Sequence, residues 1–279
     1  MKVIEIPSSL GILSASLYDN TKEDTVLIIA SATGVKRQYY SKFATYAQNN
    51  GVTVITFDYI GIGSSLNKPI KTIKTNAADW GGNDIESILQ YVINHYPNSR
   101  KVILGHSIGG QLIGLAKSSN TLDKIILVAA QSGYWKYWKG MGKVKMWLNW
   151  YVLFPFLITT FGYLNAKKLS GMENLPKNVA DQWRNWGKHS NYIFSDPSIN
   201  ETHYHTITAN IAAYSIADDA FAPKEAVQWM TAQYKNAKSK SYHLRPSDYQ
   251  ANKIGHFGVF RDKFKTTIWK AILNEICSS

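Results

Sequence analysis

The chain has 279 residues, 45% of them hydrophobic and 18% charged. This composition excludes a disordered polymer and suits one large domain, or a domain carrying an insertion. Its single cysteine, Cys277, excludes an internal disulfide and fits a cytoplasmic home. The net charge of +12 would attract anions, but the lysines are scattered and no nucleic-acid-binding motif accompanies them, so no nucleic-acid partner is expected.

The opening MKVIEIPSSL has no signal-peptide core, because Glu5 and Pro7 interrupt it. Lys2–Ile6 and Ile12–Tyr18 read as two opening strands. Thr25–Ser31 (TVLIIAS) is a continuous apolar run, as a strand buried on both faces requires. A helix is expected around Gln38–Asn50, stopped by Gly51, and then a β-branched strand at Val52–Asp58. A glycine loop follows (61–65), and Asn83–His95 carries a helical apolar stripe. Lys101–Gly105 reads as a strand, Ile108–Lys117 as a helix and Lys124–Ala130 as a strand. Later come a strand at Ala209–Ala217, a helix at Lys224–Asn236, a strand at Ser239–Leu244 and a closing helix near Asp262–Ile276.

Strands alternating with helices predict an α/β fold with a mainly parallel sheet. Residues 133–205 break that rhythm. They hold six of the nine tryptophans and read as a helical cap inserted into a core formed by 1–132 and 206–279. Within the cap, Met146–Leu164 is nearly long enough to span a bilayer, but Asn149 and Pro155 interrupt it. It reads as a buried or lid element, with membrane contact the less favoured reading.

The strongest chemical signal is Gly105-His106-Ser107-Ile108-Gly109-Gly110, between an expected strand and an expected helix. This is the context of a nucleophile elbow, in which flanking glycines remove side chains that a tight turn could not hold. The turn would lift the Ser107 hydroxyl above the sheet and place the Ile108 amide at a helix N-terminus, ready to donate to an oxyanion. A serine nucleophile needs a base, and the base an orienting acid. Of the later histidines (189, 203, 205, 243, 256), His256 is favoured. It lies in a glycine-flanked loop between the last strand and the last helix, whereas His243 sits inside a strand. The acid is expected after Ala209–Ala217, where Asp218 and Asp219 are both candidates. A second oxyanion donor is expected in Ser31-Ala32-Thr33-Gly34-Val35, with the Thr33 amide first and Ala32 and Gly34 as neighbours in register.

These residues resemble the α/β-hydrolase superfamily. The elbow matches, and Asp58-Tyr59-Ile60-Gly61-Ile62-Gly63-Ser64 is similar to its D-x-R-G-x-G-x-S loop, with Ile60 in place of the arginine. Ser31-Ala32-Thr33-Gly34 stands where the family has H-G-x-G. Asp219 with Pro223 resembles the acid loop D-x-x-x-P, which selects Asp219 over Asp218. More narrowly, Asp79-Trp80, Gln131-Ser132-Gly133-Tyr134-Trp135 and Ile254-Gly255-His256-Phe257-Gly258 resemble an uncharacterised bacterial group of serine α/β-hydrolases. The resemblance implies a Ser107–Asp219–His256 triad that cleaves an acyl bond, an ester first. It leaves acyl transfer, peptide cleavage, or a non-catalytic membrane- or partner-binding scaffold as alternatives. The aromatic cap suggests an apolar acyl substrate. No metal or organic cofactor is expected, because the histidines and cysteine lack ligand spacing.

Overall fold

The computed structural model describes residues 1–21, 24–167 and 171–278. Its strands are β1 (Lys2–Ser8), β2 (Gly11–Tyr18), β3 (Thr25–Ala30), β4 (Thr53–Phe57), β5 (Arg100–His106), β6 (Lys124–Val128), β7 (Tyr163–Leu164), β8 (Leu175–Pro176), β9 (Asn210–Ile216) and β10 (Ser239–Leu244). Eight of them form one sheet in the order β1-β2-β4-β3-β5-β6-β9-β10. The β1–β2 and β2–β4 pairs are antiparallel, and every later pair is parallel.

The apolar run of β3 explains its central place. Val26, Ile28 and Ala30 face one core cluster, and Leu27 and Ile29 face the other, so both sides of the strand are dry. Helix Glu86–His95 covers the first face with Ile88, Leu89 and Val92. Helices Ser41–Asn49 and Lys270–Cys277 cover the second with Phe43, Ala44, Ala47, Ile272, Leu273 and Ile276. This is the α/β-hydrolase architecture expected from the alternation of elements.

The chain changes its direction of travel across the sheet at β3, which has β4 on one side and β5 on the other. Such a switch point opens a crevice at the carboxyl ends of the strands. The register Ala30↔Gly105 brings the loops that follow β3 and β5 side by side there.

Two expected helices are shorter than the sequence suggests. The helix after Ser107 runs only from Ile108 to Gln111, and two short 3₁₀ turns follow it. The Tyr234 hydroxyl donates to the Gly110 carbonyl at 2.9 Å, and the Tyr204 hydroxyl donates to the Gln111 carbonyl. These carbonyls would otherwise accept the next helical amides. The helix from Lys224 likewise ends at Thr231, not Asn236. Between β6 and β9 the chain is largely helical, but β7 and β8 form a small antiparallel pair that the sequence does not announce.

Asp84 is fully buried beside the first hairpin. Its carboxyl accepts the Ser8 hydroxyl at 3.0 Å and the Ile60 amide at 2.9 Å. Burial, helped by the charge of Asp79, pushes its pKa up to about 7 against these hydrogen bonds. The folded protein therefore keeps this proton where the unfolded chain has released it, and stability falls as pH rises from the ordinary carboxylate range to about 7. Asp84→Asn removes that slope while preserving an acceptor and a donor. Relative to wild type, the variant gains about 1.4 kcal/mol per pH unit across this window, read by urea unfolding at a series of pH values.

Candidate active site

Ser107 follows β5 directly and has φ 54° and ψ −121°, in the left-handed half of backbone space that non-glycine residues rarely enter. Holding it there costs on the order of 1–3 kcal/mol. Close packing forces the conformation. A Cβ on Gly105 would lie 2.3 Å from the Gly110 Cα, and one on Gly109 would lie 2.2 Å from the Ala30 carbonyl oxygen. The Ser107 amide donates to the Val128 carbonyl at 2.9 Å, fixing the turn to β6. The Ile108 amide occupies the first position of the short helix, where an N–H has no intrahelical acceptor.

His256 lies in the short helix Gly255–Gly258, and its Nδ1 is 2.7 Å from Asp219 Oδ2. Both side chains are buried. In this pair the ring nitrogen donates and the carboxylate oxygen accepts. The second Asp219 oxygen accepts the amides of Phe221 at 2.7 Å and Ala222 at 3.0 Å, so the carboxylate has no freedom to turn away. Asp218 acts on the same loop through the backbone. Its two oxygens accept the amides of Ile254 and Gly255, both at 3.0 Å. One aspartate thus holds the imidazole, and its neighbour holds the peptide segment that carries it.

In the loop after β3, the Ala32 amide is already engaged, donating to the Tyr40 hydroxyl at 2.9 Å. Thr33 is buried, lines the same cavity as Ser107 and has a side-chain hydroxyl with no hydrogen-bond partner among the described residues. Of the two neighbours, the Thr33 amide is therefore the freer donor.

Three residues that the sequence did not single out tie these parts together. The Tyr40 hydroxyl that accepts from Ala32 lies 2.8 Å from Nδ1 of His106, and His106 Nε2 lies 3.0 Å from the His256 carbonyl. A carbonyl only accepts, so His106 is protonated at Nε2 and takes the Tyr40 proton at Nδ1. Complete burial, reinforced by the nearby His256, holds the His106 pKa well below its ordinary value, so the ring stays neutral. The third is Arg37, which pairs with the buried Asp58 and also donates to it from its backbone amide at 2.7 Å.

Ser107, His256, Ala32 and Thr33 share a cavity of about 400 Å³. Much of the remaining lining comes from the largely helical segment between β6 and β9, including Trp150, Leu153, Phe154, Leu157 and Trp183. Lys145 is the one side chain with a fixed charge among its described lining residues. His189, His203, His205 and His243 do not line it, and His243 instead meets the Ser215 hydroxyl at 2.9 Å.

The sheet order, the flanking helices and the turn at Ser107 define an α/β-hydrolase. More particularly, the chain belongs to the Hydrolase_4 family (serine aminopeptidase, S33), whose model matches residues 21–197. That stretch includes Thr33, Ser107 and Ile108, whereas Asp219 and His256 lie beyond it. Among solved structures, the esterase EaEST from Exiguobacterium antarcticum is 14% identical over 99% of this chain and 100% of its own, with a TM-score of 0.62. Est816, described as an N-acyl homoserine lactone degrading enzyme, is 14% identical over 96% of this chain and 98% of its own, with a TM-score of 0.61. A serine α/β-hydrolase without lid from Xanthomonas campestris is 10% identical over 100% of this chain and 96% of its own, with a TM-score of 0.56. At these identities the likeness establishes the fold alone. No curated protein matches the chain.

Tyr40→Phe tests the buried chain of hydrogen bonds. It removes the partner of both the Ala32 amide and His106 Nδ1, and leaving buried polar groups unpaired costs roughly 1–3 kcal/mol. Urea unfolding of the variant should show that loss with an unchanged m-value.

Proposed function

We propose that this protein is a serine hydrolase that cleaves carboxylic esters with an apolar acyl group through an acyl-enzyme, using Ser107, His256 and Asp219. The observation that carries the reading is the strained Ser107 turn sharing one apolar cavity with a histidine whose other ring nitrogen is bonded to a buried carboxylate.

In this mechanism His256 Nε2 takes the Ser107 proton as Oγ attacks the acyl carbon. The oxyanion is met by the amides of Ile108 and Thr33, a donor of this kind being worth about 3 kcal/mol of barrier. Asp219 stabilises the imidazolium and holds its tautomer. Collapse of the tetrahedral intermediate breaks the bond to the leaving alcohol, which takes the proton from His256. Water then attacks the acyl-enzyme, giving its proton to His256. The acid departs, and Ser107 recovers its proton. The site of action is taken to be cytoplasmic, in keeping with the lone thiol of Cys277.

The cavity favours an ester over the amino terminus of a peptide. An aminopeptidase must neutralise the substrate's ammonium group, which calls for a carboxylate in the pocket. No Asp or Glu is among the described lining residues, and Lys145 would repel a cation. The volume of about 400 Å³ lies within the range of small-molecule sites, and the aromatic and aliphatic lining fits an acyl chain.

A fluorophosphonate probe should label the wild type and not Ser107→Ala, with labelling of His256→Ala slowed by orders of magnitude. Asp219→Asn should lower kcat on p-nitrophenyl esters by roughly three to four orders of magnitude. Rates should rise with acyl chain length, and aminoacyl p-nitroanilides should not turn over. Equal labelling of wild type and Ser107→Ala would sink the assignment.

A further inference from the structure

The insertion carries a helical run from Gly140 to Phe161, α-helical at both ends with a π-helical turn at Asn149–Leu153 between. One side of it faces the cavity through Met146, Asn149, Trp150, Leu153, Phe154 and Leu157, positions spaced as one face of a helix. Its opposite side is apolar as well, and uncovered. Met141 is 80% exposed and Phe156 64%, with Val144, Leu148, Tyr151 and Val152 exposed between them. A helix that is hydrophobic all round would ordinarily be buried on every side or sit against lipid. A row of this length in water is a mark of an interaction surface.

Its charge says what the surface meets. Residues 131–166, which carry this run, contain four lysines and no Asp or Glu. Lys139 pairs with Glu225 at 3.1 Å, whereas Lys136 and Lys143 gather at the N-terminal end of the run, where the helix dipole disfavours cations. Lys136 and Lys143 lie over the Trp135 ring at 5.5 Å each, and Lys188 lies over the exposed Tyr151 ring at 5.2 Å. Cations beside half-exposed aromatics and aliphatics make the composition of a helix that lies in the headgroup layer of an anionic bilayer. Among the described residues no helix is long and apolar enough to cross a membrane, so the run would lie along the surface.

We infer that the outer face of 140–161 docks on an anionic phospholipid surface. The opposite face of the same run lines the cavity, so docking sets the cavity at the lipid boundary. The inference does not require Ser107 to be the nucleophile.

The test is co-sedimentation of the full chain with phosphatidylcholine vesicles, with and without phosphatidylglycerol. The variants are Met141→Ser/Val144→Ser/Phe156→Ser and, separately, Lys136→Glu/Lys143→Glu. All these side chains lie outside the cavity lining, and circular dichroism checks that each variant folds. Wild type should bind the phosphatidylglycerol vesicles and not the neutral ones, and salt should weaken that binding. Each variant should lose at least about ten-fold in partitioning. Hydrolysis of a water-soluble short-chain ester should stay at the wild-type rate in both variants, and Ser107→Ala should bind as wild type does. Absence of binding to anionic vesicles would overturn the inference. So would undiminished binding of the Met141→Ser/Val144→Ser/Phe156→Ser variant, which would reduce the effect to charge alone. A dimer in sedimentation equilibrium that the Met141→Ser/Val144→Ser/Phe156→Ser variant dissolves, without vesicle binding, would assign the face to a second copy of the chain instead.

Discussion

The structure turns on how closely the backbone of 105–110 approaches itself and β3. Gly105 passes over Gly110, and Gly109 presses against the end of β3, at separations no side chain could occupy. This contact drives Ser107 into positive φ and aims its hydroxyl into the cavity. The strain is sustained because the turn belongs to two central strands that are dry on both faces. A peripheral loop would relax.

Around that point the polar groups are arranged so that three separate loops report to one another. Ala32, Tyr40, His106 and the His256 carbonyl form a directional series of hydrogen bonds in which every donor and acceptor is determined. It runs from the loop after β3, through the residue preceding Ser107, to the backbone of the histidine loop. Asp218 secures the same loop from the other side. The imidazole is therefore positioned through its backbone as much as through Asp219.

Much of this was legible in the sequence, for identifiable reasons. Central strands announce themselves because two-sided burial demands unbroken apolar runs, as in Thr25–Ala30. The elbow is visible because its steric demands act on adjacent residues. Tyr40, His106 and Arg37 were not visible, since their partners lie 8, 150 and 21 positions away. Nothing local distinguishes them from an ordinary surface tyrosine, turn histidine or arginine. The early end of the helix after Ser107 was hidden for the same reason. The tyrosines that capture its carbonyls lie 93 and 124 residues downstream. The helical, aromatic character of the segment between β6 and β9 was visible in its composition, but the division of Met146–Leu164 into one apolar face toward the cavity and another toward solvent needed the three-dimensional arrangement.

The loop after β3 and the insertion are also joined. The Glu173 amide donates to the Gly34 carbonyl at 2.8 Å, and the Glu173 carboxylate pairs with Lys36 at 3.4 Å. Just beyond, Pro176 packs against Gly61, where a Cβ would come within 2.6 Å of its ring. The insertion is thus not hung from β6 and β9 alone. It is stitched at mid-length to the peptide next to Thr33. Any displacement of Glu173 must either break that stitch or carry Gly34 with it, so the roof of the cavity and the amides beside Ser107 cannot change position as independent parts.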